Sequence, residues 1–172
     1  MPLRPGRCYK ELKKPPYTRK EYISGVPQPK IVKFVMGNTK GVFNVAVKLI
    51  SKEDVQVRHN ALEAARVMSH KYLSKYVGDE NYLLIIRSYP HHVLRENKMM
   101  AFAGADRLQD GMRLSFGRPI GTAARICEGD VVAEVRVPDR FVQHAKEAMR
   151  RMLSKMGIKA EVVIESLSEA KS

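Results

Sequence analysis

Apolar and polar positions recur with two different periods along this chain, and the changes of period mark its elements. Ile31 to Met36 is a run of β-branched and aromatic residues that predicts a strand. Phe43, Val45, Val47 and Leu49 alternate with Asn44, Ala46, Lys48 and Ile50, the period-2 signature of a second strand. Gly37 to Gly41 supplies turn chemistry between them. From His59 to Val77 the period lengthens. Ala61, Ala65, Met68, Tyr72 and Tyr76 then share one face of a helix, with Leu62 and Leu73 beside it. Gly78 closes that helix, Tyr82 to Arg87 reads as a buried strand, and His91 to Leu94 as a short one after Pro90.

The last third repeats the order. Thr122 to Ile126 and Val131 to Val137 read as strands around the turn Glu128-Gly129-Asp130. Pro138-Asp139 opens a helix carrying Phe141, Val142, Ala145, Ala148, Met149 and Met152. Gly157 ends it, and Lys159 to Ile164 is a final strand. Strand–helix–strand thus occurs twice, as a faint duplication or as two common units. The predicted fold class is α+β, a two-layer sandwich with two helices packed on a mainly antiparallel sheet. Two stretches escape the pattern: residues 1–30, an arm, and residues 96–121, a long loop inside the domain 31–172.

Composition makes those stretches matter. In 172 residues, 44% apolar content is enough for a core, and 31 Lys and Arg stand against 18 Asp and Glu. The excess of +13 points to a polyanionic partner, RNA, DNA or an acidic membrane. It is unevenly placed. Residues 1–40 carry net +8 and residues 86–125 net +4, whereas 41–85 carry +1 and 126–172 carry 0. The longest aliphatic run, Leu83 to Ile86, is too short to span a bilayer, and the N-terminus has no apolar leader pattern. The cytoplasm is the expected compartment, with Cys8 and Cys127 as reduced thiols outside any CxxC pair.

The arm holds Pro2, Pro5, Pro15, Pro16, Pro27 and Pro29, which forbid a long helix and with it a membrane-lying one. Arg4, Arg7, Lys10, Lys13, Lys14, Arg19, Lys20 and Lys30 alternate with Tyr9, Tyr17 and Tyr22. Such an extended chain can neutralise phosphates and stack on bases. A plain basic tail would have the same composition. The loop holds Gly104, Gly111, Gly117 and Gly121 with Lys98, Arg107, Arg113 and Arg118. Glycine lets backbone approach a partner closely and arginine grips phosphate. Met99, Met100, Phe102, Met112 and Phe116 add adaptable contacts, although a self-packed loop closing the sheet would also contain them.

Enzymatic constellations are weak. No Gly-Lys-Ser/Thr follows Gly117 or Gly121, so there is no P-loop. His91 and His92 would face opposite sides of a strand, and His59, His70 and His144 are scattered. Asp106 and Asp110 could support acid–base chemistry, but salt bridges with Arg107 and Arg113 explain them better. No catalytic residue, metal or cofactor is expected. An RNA-processing enzyme and an unspecific nucleic-acid binder remain as alternatives to an RNA-docking protein.

Several ordered runs sharpen the choice. Arg4-Pro5-Gly6-Arg7-Cys8-Tyr9, Arg58-His59-Asn60-Ala61-Leu62-Glu63-Ala64-Ala65-Arg66, Ala103-Gly104-Ala105-Asp106-Arg107-Leu108-Gln109-Asp110-Gly111-Met112-Arg113 and Phe116-Gly117-Arg118-Pro119 resemble one family across nearly the whole chain. It is the universal large-subunit ribosomal protein family, called L-ten-e in archaea and eukaryotes and L-sixteen in bacteria. The loop is similar to the archaeal–eukaryotic branch, and the short C-terminus resembles archaeal members. The resemblance implies an α/β-hammerhead-type fold and a structural constituent of the large subunit, cytoplasmic and ribosome-bound. It implies binding to large-subunit rRNA between the central protuberance and the stalk base. It further implies a part in shaping the aminoacyl-tRNA site and in late subunit assembly, with the central loop toward peptidyl-transferase RNA. The partners implied are rRNA, tRNA and neighbouring ribosomal proteins, with no membrane and no obligate homo-oligomer. By position, Arg4, Arg7, Lys10, Lys13, Lys14, Tyr17, Arg19 and Lys20 would anchor the arm in rRNA. Lys98, Arg107, Arg113 and Arg118 would face tRNA or rRNA from the loop.

Overall fold

A computed structural model describes residues 4–12, 14–97 and 115–167. Its strands are β1 (Val35–Gly37), β2 (Val45–Ser51), β3 (Val55–Arg58), β4 (Leu83–Ile86), β5 (His92–Glu96), β6 (Arg118–Ile126), β7 (Val131–Val137) and β8 (Ala160–Ser166). The helices are α1 (His59–Tyr76) and α2 (Val142–Met156). All strand pairings are antiparallel, in two sheets ordered β1-β4-β7-β2-β8 and β3-β6-β5. The expected α+β architecture of two helices with antiparallel sheet is therefore present, and a second, three-stranded sheet is added to it.

The helices form because their apolar positions repeat at three and four residues, and each hides its stripe. In α2 the buried stripe is Ala145, Ala148, Met149, Met152 and Met156, laid on β2, β7 and β8. Gly157 ends the helix at φ 66°, a conformation an L side chain resists, and its N–H reaches the carbonyl of Leu153. In α1 the inward stripe is Leu62, Ala65, Ser69 and Leu73. The face predicted around Ala61, Met68, Tyr72 and Tyr76 is rotated toward the surface, and Tyr76 is 49% exposed. The reason is the seam with α2. Small Ala65 and Ser69 admit the neighbouring backbone, and the Ser69 hydroxyl lies 3.0 Å from the carbonyl of Ala65 and 3.2 Å from that of Ala148. Aromatic rings cannot fit there.

Pairing departs from sequence order. Gly37–Gly41 joins β1 and β2, yet β4 and β7 lie between those strands. The Glu128–Asp130 turn carries the chain from one sheet to the other, as does the β2–β3 connection beside it. The two corners are tied where Ser51 N–H meets the carbonyl of Asp130 at 3.0 Å and Glu128 N–H meets Asp54 Oδ1 at 2.9 Å. The two strand–helix–strand units are not equivalent either. β7 and β8 flank β2, whereas β3 and β4 lie in different sheets.

The expected loop is shorter at both ends. Glu96 closes β5, and β6 begins at Arg118 rather than Thr122. Pro119 and Gly121 argue against a strand there. A bulge accommodates them, since the register jumps from Leu94↔Gly121 to Arg95↔Pro119 and leaves Ile120 unmatched.

Candidate nucleic-acid interface

The arm is laid across the three-stranded sheet by its own backbone. At the β3 edge, Gln56 donates its N–H to the carbonyl of Lys10 at 2.8 Å, and its side-chain amide donates to the carbonyls of Glu11 and Tyr9. Over central β6, Arg125 Nη1 donates to the carbonyl of Lys14 at 2.5 Å. At the β5 edge, Val93 donates to the carbonyl of Tyr17 at 2.9 Å. Both edges of the sheet are thereby covered, which removes an open template for other strands.

Two histidines complete the strap. His92 Nδ1 accepts the N–H of Tyr17, and His59 Nδ1 accepts the N–H of Lys30, each at 2.7 Å. Accepting at Nδ1 requires that nitrogen unprotonated, and the surroundings favour this. Burial lowers the pKa of both rings, helped by Arg125 and Arg95 around His92 and by Lys30 and Arg58 around His59. The sequence signals neither role. Scattered histidines invite a structural or metal-ligand reading, and nothing in side-chain patterning reveals a ring that accepts from a distant backbone.

Glu96 ties the arm to the root of the loop. It receives Arg4 Nε at 2.6 Å and the Tyr9 hydroxyl at 3.1 Å, and its side chain is only 7% exposed. Burial and this hydrogen bond to a carboxylate both raise the Tyr9 pKa. Beside it at the root, Arg95 is held between two rings, 4.4 Å from the centre of Tyr17 and 4.1 Å from that of Phe116. Gly117 allows the two sides of the root to touch. A Cβ there would lie 2.8 Å from the carbonyl carbon of Glu96 and 2.9 Å from the nitrogen of Asn97. Its glycine thus permits approach to this chain's own backbone.

The predicted site residues separate accordingly. Arg4 is paired with Glu96, and Lys10 with Glu53 at 2.7 Å. Hydrogen bonds from Lys10 and from the N–H of Lys159 hold Glu53 below the usual carboxylate range. Tyr17 is half-buried with Arg95 over its ring, so that face is occupied. Arg7, Lys14, Arg19 and Lys20 have exposed side chains, and Arg19 lies 6.0 Å from the ring of exposed Tyr22. Arg118 is exposed, but as the first residue of β6 opposite Glu96 and not as a loop residue. Lys13, Lys98, Arg107 and Arg113 lie outside the described residues, as do Asp106 and Asp110. The structure adds Arg58, Arg95 and Arg125, and places Phe116 of the expected loop contacts against Arg95 and Tyr17. A cleft of about 440 Å³ between arm and sheet is lined by Arg7, Lys14 and Arg95 with Tyr9, Tyr17 and His92. Among the described residues no group of three or more His, Cys, Asp or Glu could hold a metal ion.

Cations exposed along a strapped backbone, with rings and a small cleft between them, are chemistry for a folded polyanion. Comparison with known proteins gives the family. Residues 12–163 match the model of ribosomal protein L16p/L10e. The large ribosomal subunit protein uL16 of Staphylothermus marinus is 65% identical over 167 residues, covering 97% of this chain and 96% of the relative. Those of Hyperthermus butylicus and Sulfolobus acidocaldarius are each 58% identical, covering 98% of this chain and 97% of the relative. The chain belongs to the L16p/L10e family of ribosomal proteins.

Proposed function

We propose that the arm and the root of the 96–121 loop dock on large-subunit rRNA as one surface, and that the loop helps shape the aminoacyl-tRNA site. Family membership makes the chain a structural, non-enzymatic protein of the large ribosomal subunit, acting in translation and ribosome-bound in the cytoplasm. It associates with rRNA and other ribosomal proteins. The finer reading rests on one observation: Glu96 and Arg95 join the arm to the root of the loop, which supports a docking surface shared by two basic segments distant in sequence. Rigid support is what a positioning element needs, because misplacement by an ångström costs function.

Binding to transcribed large-subunit rRNA across a salt series tests the docking half. In an Arg7→Ala/Lys14→Ala/Lys20→Ala variant, the slope of log affinity against log salt should fall by roughly 0.7–0.9 for each phosphate that is no longer neutralised. An unchanged slope would remove the arm from the interface. The tRNA half is tested by Arg107→Ala and Arg113→Ala, which should impair tRNA handling or late assembly without lowering the melting temperature. Normal translation combined with early melting would make the loop a structural element instead.

A further inference from the structure

A second grouping of rings and cations lies where the C-terminal end of α1 meets the N-terminal end of α2. Tyr76 and His144 stack almost parallel, 5.7 Å apart at 9°. Tyr72 joins them, 4.6 Å from Tyr76 and with its hydroxyl 3.2 Å from His144 Nδ1. Three cations sit against rings of this cluster: Arg151 at 4.1 Å from Tyr72, Lys75 at 5.3 Å from Tyr76, and Arg140 at 4.6 Å from Phe141. The core does not need Tyr76, which is half exposed while Leu73 fills the interior. Charge selects the partner. The two helices carry seven Lys and Arg against Glu63 and Glu147, and both acids are paired within their own helix, with Arg66 and Arg151. Tyr76 is seventeen residues from the His59 clamp, about 26 Å along α1. This surface is therefore distinct from the arm.

We propose that this patch is a second RNA-docking surface, taking an unpaired base against its stacked rings and the flanking phosphates on Lys75 and Arg140. It extends the reading that the chain docks on rRNA. Flat rings suit a base plane, and cations beside them suit a phosphodiester better than an apolar partner.

The test uses the full chain with transcribed large-subunit rRNA as probe. Tyr76→Ala should weaken binding about fivefold or more, and Tyr76→Phe should restore it, since stacking needs the ring and not the hydroxyl. Lys75→Ala/Arg140→Ala, both at exposed positions, should lower the salt slope by roughly 0.7–0.9 per phosphate released. Ultraviolet crosslinking of the unmutated chain should place nucleotide adducts between residues 72 and 76 or 141 and 144. Circular dichroism melts confirm that the variants fold. If an arm variant loses affinity while both patch variants bind as the parent and no adduct forms there, the patch proposal fails and docking by the arm stands. Should the patch variants weaken while the arm variant does not, the patch stands and the arm reading fails. Patch variants that bind rRNA normally, yet enter subunits poorly only when other ribosomal proteins are present, would identify a protein partner and overturn the proposal.

Discussion

The two sheets of this molecule are closed by opposite means. The five-stranded sheet is covered by α2 through buried apolar side chains, among them Val47, Leu49, Val135, Ala145, Met149 and Met152. The three-stranded sheet is packed on one side by α1 and strapped across by an arm held by backbone hydrogen bonds, two histidine acceptors and two ion pairs. Apolar burial is indifferent to pH and salt over ordinary ranges, whereas a polar strap is not. One half should behave as a foundation and the other as an adjustable fitting.

The largest effect should come from the apolar half. Leu84→Ala removes a fully buried side chain in β4 and should cost about 2–5 kcal/mol in urea unfolding. The folded fraction should still bind RNA with an unchanged salt slope. A flattened slope would mean that the two halves are not independent.

Gly117→Ala comes next, because its Cβ would meet the backbone of Glu96 and Asn97. We expect about 1–3 kcal/mol of destabilisation, with faster amide exchange confined to the β5 and β6 ends at the loop root. Faster exchange in β2 or β7 would contradict that localisation.

Mild acidification should act first on the strap, because the buried Glu134 of the five-stranded sheet, although burial opposes its charge, is held below the usual carboxylate range by Arg87 and Arg136 and titrates only in stronger acid. The folded-state pKa values of His59 and His92 lie below the ordinary 6.5, so their contribution is present above about 6.5 and lost as pH falls from there toward the folded values. Each of these hydrogen bonds is worth on the order of 1 kcal/mol. Limited proteolysis should cut the arm faster at acidic pH while near-ultraviolet dichroism of the core holds. A core that melts together with the arm would refute the division.

The smallest effect belongs to Lys10→Met, which breaks the partly exposed pair with Glu53. It should cost about 0.2–1 kcal/mol at low salt and nothing measurable at high salt.

Much of the fold is legible in the sequence. Val131–Val137 alternates so regularly that its strand emerges with the observed limits, and the α2 stripe and its Gly157 stop are plain. β3 is not legible. Val55 to Arg58 is only four residues long and runs directly into α1, where Arg58 makes no side-chain cap to mark the boundary. At the interface, the cations of the arm are legible as residue types. Which of them face outward is not, because Arg4 and Lys10 meet acids 92 and 43 positions away.

Charge summed along the chain misleads in a related way. Residues 126–172 are neutral in total, yet their basic residues concentrate on α2 while Glu161 and Glu165 lie on β8, where they pair with Lys52 and Lys48. A helix and the next strand present their charges on different surfaces, so a sum over both describes neither.

By itself, the sequence determined both helices, most of the strands, the buried stripe of α2, the basic excess and the family, since each is written in local periodicity or in ordered runs of residues. Tertiary structure alone decided that there are two sheets, that the arm straps the smaller one, and that arm and loop share a base at Glu96. Those outcomes depend on which backbone donors and acceptors meet across long stretches of chain. Backbone groups are nearly the same at every residue, so only the folded chain can select among them.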